Sequence, residues 1–269
     1  MMRFKNIIIF IFCLAIGFPL TGQKTLQPKS TDNDWVGIIY RKEMAYEGRL
    51  YTNGASIGIN VGTIDTYLKT SYYHLSIGYL TDPREKRQNR NISFGFPERS
   101  RSFIFGKQNN IINLRGGFGR KRFISEKARR KGVAIGYDYQ IGPSLALVKP
   151  YFLNLIFAVE GPNGNERELR AVRFTEENAE LFTDFNNIFG GAGYFNGFGD
   201  ISVTPGIQGY YGLFFSLGAF DEYVKSFEVG LMADIYVRKV PILIETEAVK
   251  NRPYFFNLYL KFIFGKRRN

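Results

Sequence analysis

The stretch Phe227-Glu228-Val229-Gly230-Leu231-Met232-Ala233-Asp234-Ile235-Tyr236-Val237-Arg238 decides how the chain is read. In an extended strand successive side chains point to opposite sides. Phe227, Val229, Leu231, Ala233, Ile235 and Val237 therefore share one face, and Glu228, Gly230, Met232, Asp234, Tyr236 and Arg238 share the other. Every ionised group lies on a single face. Upstream, Val133, Ile135, Tyr137, Tyr139 and Ile141 alternate in the same way with Ala134, Gly136, Asp138, Gln140 and Gly142. Near the end, Phe256, Leu258, Leu260, Phe262 and Phe264 alternate with Asn257, Tyr259 and Lys261.

Such segregation has two solutions: a soluble sandwich hides the apolar face, whereas a membrane barrel turns it outward to lipid. The two ends of the chain favour the barrel. Arg3 and Lys5 precede an apolar run from Ile7 to Leu20 and a small polar exit, Thr21-Gly22-Gln23, the pattern of a secretory leader. Cleavage is expected near Gly22, giving a signal peptide over 1–22, a linker over 23–34 and a barrel over 35–269. The C-terminal run resembles the terminal strand of outer-membrane barrels, except that Lys266, Arg267, Arg268 and Asn269 follow its last aromatic residue. After Leu20 no segment has the roughly 18 uninterrupted apolar residues of a membrane helix. Aromatic content of 16% and 29 Gly suit one β-rich unit.

Further strands are expected at Trp35 to Lys42, Arg49 to Thr63, Thr66 to Leu80, Asn110 to Gly119, Tyr151 to Ala158 and Thr204 to Ala219. That makes an odd total, while single-chain bacterial barrels use an even number. Either the first segment lies outside the wall or another strand lies between Ser100 and Gly106. The fold class is thus all-β, an antiparallel transmembrane β-barrel of about eight to ten strands, with one short amphipathic helix in a long connection. For that helix Thr175 can cap, Glu176 and Glu177 favour the first turn, and Leu181, Phe182, Phe185, Ile188 and Phe189 form an apolar stripe before Gly190. The stripe is a candidate docking face. It could cover a mouth of the barrel, rest at the membrane interface or meet a partner.

Three strings carry a resemblance: Tyr51-Thr52-Asn53-Gly54-Ala55-Ser56-Ile57-Gly58, then Ile141-Gly142-Pro143-Ser144-Leu145-Ala146-Leu147-Val148-Lys149-Pro150-Tyr151, and Lys239-Val240-Pro241-Ile242 before the Phe-rich ending. On these the chain resembles the uncharacterised outer-membrane β-barrel proteins of Bacteroidota over nearly all of its mature length. The resemblance implies location and fold, and it implies no active site.

Several chemistries drop out. Cys13, the only cysteine, lies within the leader, so the mature chain has no disulfide, zinc-thiolate site or cysteine nucleophile. With His74 as the only histidine and no acidic calcium loop, no metal or cofactor is expected. Arg115-Gly116-Gly117-Phe118-Gly119 lacks the Lys-Ser or Lys-Thr of a phosphate loop, so its glycines are read as easing packing within the wall. His74 shares its strand face with Ser76 and could serve as base to that hydroxyl in a lipid-modifying barrel. Residues two apart on one face are about 7 Å apart at Cα, however, beyond easy hydrogen bonding, so His74 is read as a polar lumen residue.

Charge is the remaining signal. Between Arg84 and Lys131 stand 15 Lys or Arg against Glu85, Glu98 and Glu126, an excess equal to the whole chain's +12. Export makes nucleic acid an improbable partner, and leaves lipopolysaccharide phosphates, acidic glycans or acidic envelope proteins. Arg115, Arg120, Lys121, Arg122, Arg129, Arg130 and Lys131 are the candidate contacts, with Arg115 facing the lumen and Arg120 to Lys131 forming the adjoining loop. A loop that simply keeps its charges in water explains the same residues. The leading expectation is a non-enzymatic structural or accessory subunit of an envelope assembly, binding a protein partner through its loops. A lipid-modifying enzyme using His74 and a narrow small-solute pore follow.

Overall fold

The computed structural model describes residues 40–89, 99–124, 133–161, 164–217, 222–247 and 249–269. The expected leader and linker, most of the Trp35 to Lys42 segment, and Arg129, Arg130 and Lys131 lie outside the described residues. In chain order the strands are β1 (Lys42–Tyr51), β2 (Gly54–Thr66), β3 (Lys69–Leu80), β4 (Arg87–Gln88), β5 (Phe103–Ile104), β6 (Asn109–Phe123) and β7 (Ala134–Pro150). They continue as β8 (Phe152–Gly161), β9 (Gly164–Arg173), β10 (Ile188–Gly191), β11 (Ser202–Ser216), β12 (Tyr223–Tyr236) and β13 (Tyr254–Arg268), with helix α1 (Ala179–Thr183) before β10.

Eight strands close a barrel in the order β1-β13-β12-β11-β7-β6-β3-β2. Every pairing is antiparallel, and β13 zips onto β1 from Lys42↔Arg268 to Tyr51↔Tyr259. Sequence parity and wall geometry agree. Glu228, Met232, Asp234 and Tyr236 are buried in the lumen, while Val229, Leu231 and Ile235 are exposed on the outside. The outer face carries Tyr46, Leu50, Ile57, Leu75, Ile77, Ile141, Ile207, Leu258 and Phe264 in the same exposed state.

Two expected strands are corrected. The run from Arg49 to Thr63 is a hairpin, because Thr52 and Asn53 turn the chain and Gly54 follows with φ 149°. A Cβ on Gly54 would fall almost onto the Tyr79 carbonyl, so only glycine fits there. Tyr151 to Ala158 does form a strand, β8, but it leaves the wall and pairs with β9 and β10 in a separate sheet of order β10-β8-β9. Between Ser100 and Gly106 there is only β5, which pairs with β4 away from the wall.

The three longest connections share a rim. Residues 67–68, 124–133 and 217–222 join strands at one rim, where β1 begins and β13 ends. Residues 81–108, 151–201 and 237–253 join them at the other, together with the tight turn at 52–53. At this second rim the described residues of the three long connections fold into a cap. Phe103, Leu153, Leu155, Phe182 and Ile188 form its core, with Ile244 packed against them. The expected helix over 175–189 is reduced to α1. Asp184 adopts an extended conformation, its carboxylate accepts from the Asn186 N–H and the Asn187 amide, and Ile188 onward pairs with β8 instead of continuing the helix.

Candidate functional site

Polar chemistry is concentrated in the lumen, where the ionised groups are paired while the amides of Asn113, Gln140 and Asn257 have no hydrogen-bond partner among the described residues. Glu43, Glu47, Asp138, Glu228 and Asp234 face Arg49, Arg115, Lys121, Lys261 and Arg267, all buried, so the formal charges cancel. Lys261 is the hub. Its ammonium lies 2.7 Å from Glu228, 3.0 Å from Asp138 and 3.9 Å from Glu47, and it donates to the Tyr210 hydroxyl at 3.0 Å. Arg49 donates to Glu47 at 2.8 Å and spreads its guanidinium 4.2 Å from the Tyr210 ring centre. Glu43 accepts from Lys121 and Arg267. Arg115 and Asp234 form a bidentate pair at 2.8 and 2.9 Å.

Glycines on the lumen face make room for these groups. A Cβ on Gly119 would strike the Tyr72 ring, and one on Gly212 or Gly230 the Tyr259 hydroxyl, which itself donates to Glu228. Apolar side chains flank the central cluster around Lys261 on both sides. At the long-connection rim Val240, Ile242 and Leu243 plug the mouth against Leu80, Ile111, Val148 and Tyr236. Asn251 holds this plug by accepting from the Ile242 and Leu243 N–H groups and donating to the Leu243 carbonyl. Toward the short-turn rim Phe123 packs on Ala134 and Phe214, and Ala45 on Val224 and Ile263, with the Glu43–Arg267 pair lying nearer that rim than Ala45.

His74 corrects the expectation drawn from Cα spacing. Its Nε2 lies 2.9 Å from the Ser76 hydroxyl, because an imidazole is long enough to reach along its own strand. Nδ1 lies 2.7 Å from Asn60 Oδ1 and 3.7 Å from Glu47. The order carboxylate, imidazole, hydroxyl is that of a hydrolytic triad. A triad also needs access for the reacting carbonyl, and both side chains are closed in: His74 and Ser76 are each 4% exposed. Even one Cβ on the facing Gly58 would meet Ser76 Cβ at 2.8 Å and His74 Cε1 at 3.1 Å.

The other candidate residues scatter. Arg115 faces the lumen as expected, but Arg120, Lys121 and Arg122 are corrected from loop to strand, since β6 runs on to Phe123. Lys121 turns inward to Glu43, whereas Arg120 and Arg122 are exposed on the outer face at the short-turn rim, against Ser71 and the Tyr137 hydroxyl. Of the helix stripe, Phe182, Ile188 and Phe189 are buried within the protein's own cap, so they offer nothing to a partner. Leu181 and Phe185 remain about 40% exposed, Phe185 lying against Phe105. No group of metal-ligating side chains occurs among the described residues.

Sequence reasoning did not find the cations gathered on the outside of the cap. Arg87, Arg101 and Lys149 line one cavity, although β4, the approach to β5 and the end of β7 supply them. Beside it, Arg84 clasps Asp82 and, through that hydrogen bond, holds its carboxyl below the usual carboxylate range.

These features define the molecule as a closed eight-stranded barrel with a sealed, charged lumen. No family model matches the chain, and no curated protein does. Among solved structures it is similar to Neisserial surface protein A, at 8% identity with a TM-score of 0.33, over 85% of this chain and 96% of that one. That likeness is too faint to carry an argument. The fold rests on the closed strand order itself.

Proposed function

We propose that this chain is a non-enzymatic outer-membrane barrel acting as a structural or accessory subunit of an envelope assembly. One observation carries the reading: the ordinary burial pattern is inverted, with ion pairs inside and a continuous apolar belt outside. Leaving that belt in water would forfeit roughly 25 cal/mol for each Å² of apolar surface, whereas lipid accepts it. Barrels are the form in which strands can cross a membrane, since closure satisfies every backbone group. Aromatic pairs at the outer face, Tyr73 with Phe118 near one rim and Tyr254 with Phe256 near the other, stand where interfacial girdles belong. By the usual asymmetry of such barrels the short turns face the periplasm and the cap faces outward.

The filled lumen and plugged mouth leave the cap as the working surface. Its exposed apolar residues Phe105, Leu181 and Phe185 are the contact for a protein partner. The test is affinity capture of the tagged chain from outer membranes in mild detergent, beside a Leu181→Glu/Phe185→Glu variant. A stoichiometric envelope protein held by the wild type and lost from the variant supports the reading. Recovery of the wild type as a lone monomer defeats it.

A further inference from the structure

A cavity of about 610 Å³ opens where the outer face of β3, β6 and β7 meets the cap. Within the size range of ligand sites, it is unusual in its charge. Arg87, Arg101 and Lys149 line it, and no Asp or Glu does so among the described residues. Neighbouring Lys107 is already neutralised, donating to Glu85 at 2.7 Å and to the Tyr79 hydroxyl at 3.1 Å. Lys149 is not. It is 1% exposed, its ammonium donates to the Tyr194 carbonyl and lies 4.3 Å and 4.8 Å from the Tyr194 and Phe198 ring centres, and no described carboxylate pairs with it. With no described carboxylate beside it, the positive charge of the cavity is uncompensated, which favours an anion there.

The second observation is what lies beneath. Tyr79 and Tyr194 also line an apolar groove of about 600 Å³ that descends the outer wall past Leu50, Ile57 and Ile77. Gly48, Ile57, Ile77 and Phe262 carry that groove into another of about 860 Å³, bounded by Tyr46, Leu75 and Phe264. At the outward position of Gly48 a Cβ would meet nothing within 4 Å. A cationic compartment thus stands directly above a continuous apolar trough on the lipid-facing wall. Free sugar phosphates and membrane glycolipids share the anionic head, but only a lipid needs the trough.

We propose that this outer-wall channel binds one anionic glycolipid, with a phosphorylated saccharide head among Arg87, Arg101 and Lys149 and an acyl chain lying along the Gly48 groove. The claim rests on the outer-membrane placement above, with the cap outward. Guanidinium groups suit phosphate because they present paired donors in a plane.

Native mass spectrometry of the full chain in detergent tests it, titrating lipid A (a bisphosphorylated, acylated glucosamine disaccharide) or glucosamine 1-phosphate. Arg87→Gln/Arg101→Gln alters exposed side chains and Gly48→Phe fills open space, so both variants are expected to fold. Each should bind lipid A at least about tenfold more weakly, the loss of one charged hydrogen bond being worth roughly that. Glucosamine 1-phosphate should bind far more weakly than lipid A and be indifferent to Gly48→Phe. Equal lipid A binding by wild type and variants overturns the site. Glucosamine 1-phosphate binding as tightly as lipid A overturns the lipid and leaves a sugar-phosphate site. Density fractionation separates the two claims: a chain found in the outer membrane whose binding ignores the variants loses only this site, and a chain found elsewhere loses the placement.

Discussion

Replacing Arg115 by Met should be among the most damaging single changes in the lumen. Arg115 on β6 and Asp234 on β12 are both fully buried, and their bidentate contact is the only ion pair either makes among the described residues. Removing the guanidinium strands a buried carboxylate, which costs about 3–5 kcal/mol when the surroundings are dry. Asp234→Leu strands the guanidinium at a similar cost. The double variant Arg115→Met/Asp234→Leu removes both charges together and should recover most of that loss, because a buried pair gains little net energy over apolar side chains of similar volume. Urea titration in lipid vesicles, followed by far-ultraviolet circular dichroism, measures all three. If Arg115→Met alone costs less than about 1 kcal/mol, the value of a solvent-screened pair, the lumen is wet and the argument for a sealed barrel fails.

Two further outcomes follow from the packing. Gly230→Ala would set a Cβ 2.3 Å from the Tyr211 carbonyl oxygen and 2.5 Å from Gly212 Cα, both backbone atoms. It should destabilise by about 1–3 kcal/mol, while Gly48→Ala should stay within about 0.5 kcal/mol; equal effects in the same titration would contradict the register. In planar bilayers the wild type should pass no steady current, because Val240, Ile242 and Leu243 cover a mouth above the ion-paired layer, and reproducible unitary steps would contradict that plug.

Much of the wall was legible because the strand period is rigid. Glu228 and Asp234 need only parity to be placed inside, and of the glycines after Arg115 Gly117 and Gly119 make space, whereas a Cβ on Gly116 would meet nothing closer than 3.8 Å. Parity could also have revealed the first hairpin. Leu50 is outward at an even position and Ile57 at an odd one, and that slip in phase is the mark of a turn at Thr52 and Asn53. Tyr151 to Ala158 was misread as wall because a strand alternates in the same way in any sheet. The helix was overextended because its stripe, Leu181 to Phe189, serves two elements in succession, a short helical turn and then β10. His74 and Ser76 were kept apart by a rule for backbone distance that ignores side-chain length. The outer-wall cavity was invisible in sequence, since Arg87, Arg101 and Lys149 come together only through the folding of long connections, which have no period to read.

The pairing of β1 with β13 has a consequence for how the molecule is made. Glu43 and Arg267, ion-paired across that seam, are 224 residues apart in the chain. Until β13 emerges, β1 and β12 each present an unpaired edge, a template for aggregation, and the cost in chain entropy of closing so long a loop is met only at the last step. A chain cut short before Tyr254 therefore reaches the membrane able to form only an open, adhesive sheet. Completion of the wall is a single late event, and an escort that keeps the two edges apart until then would govern its yield.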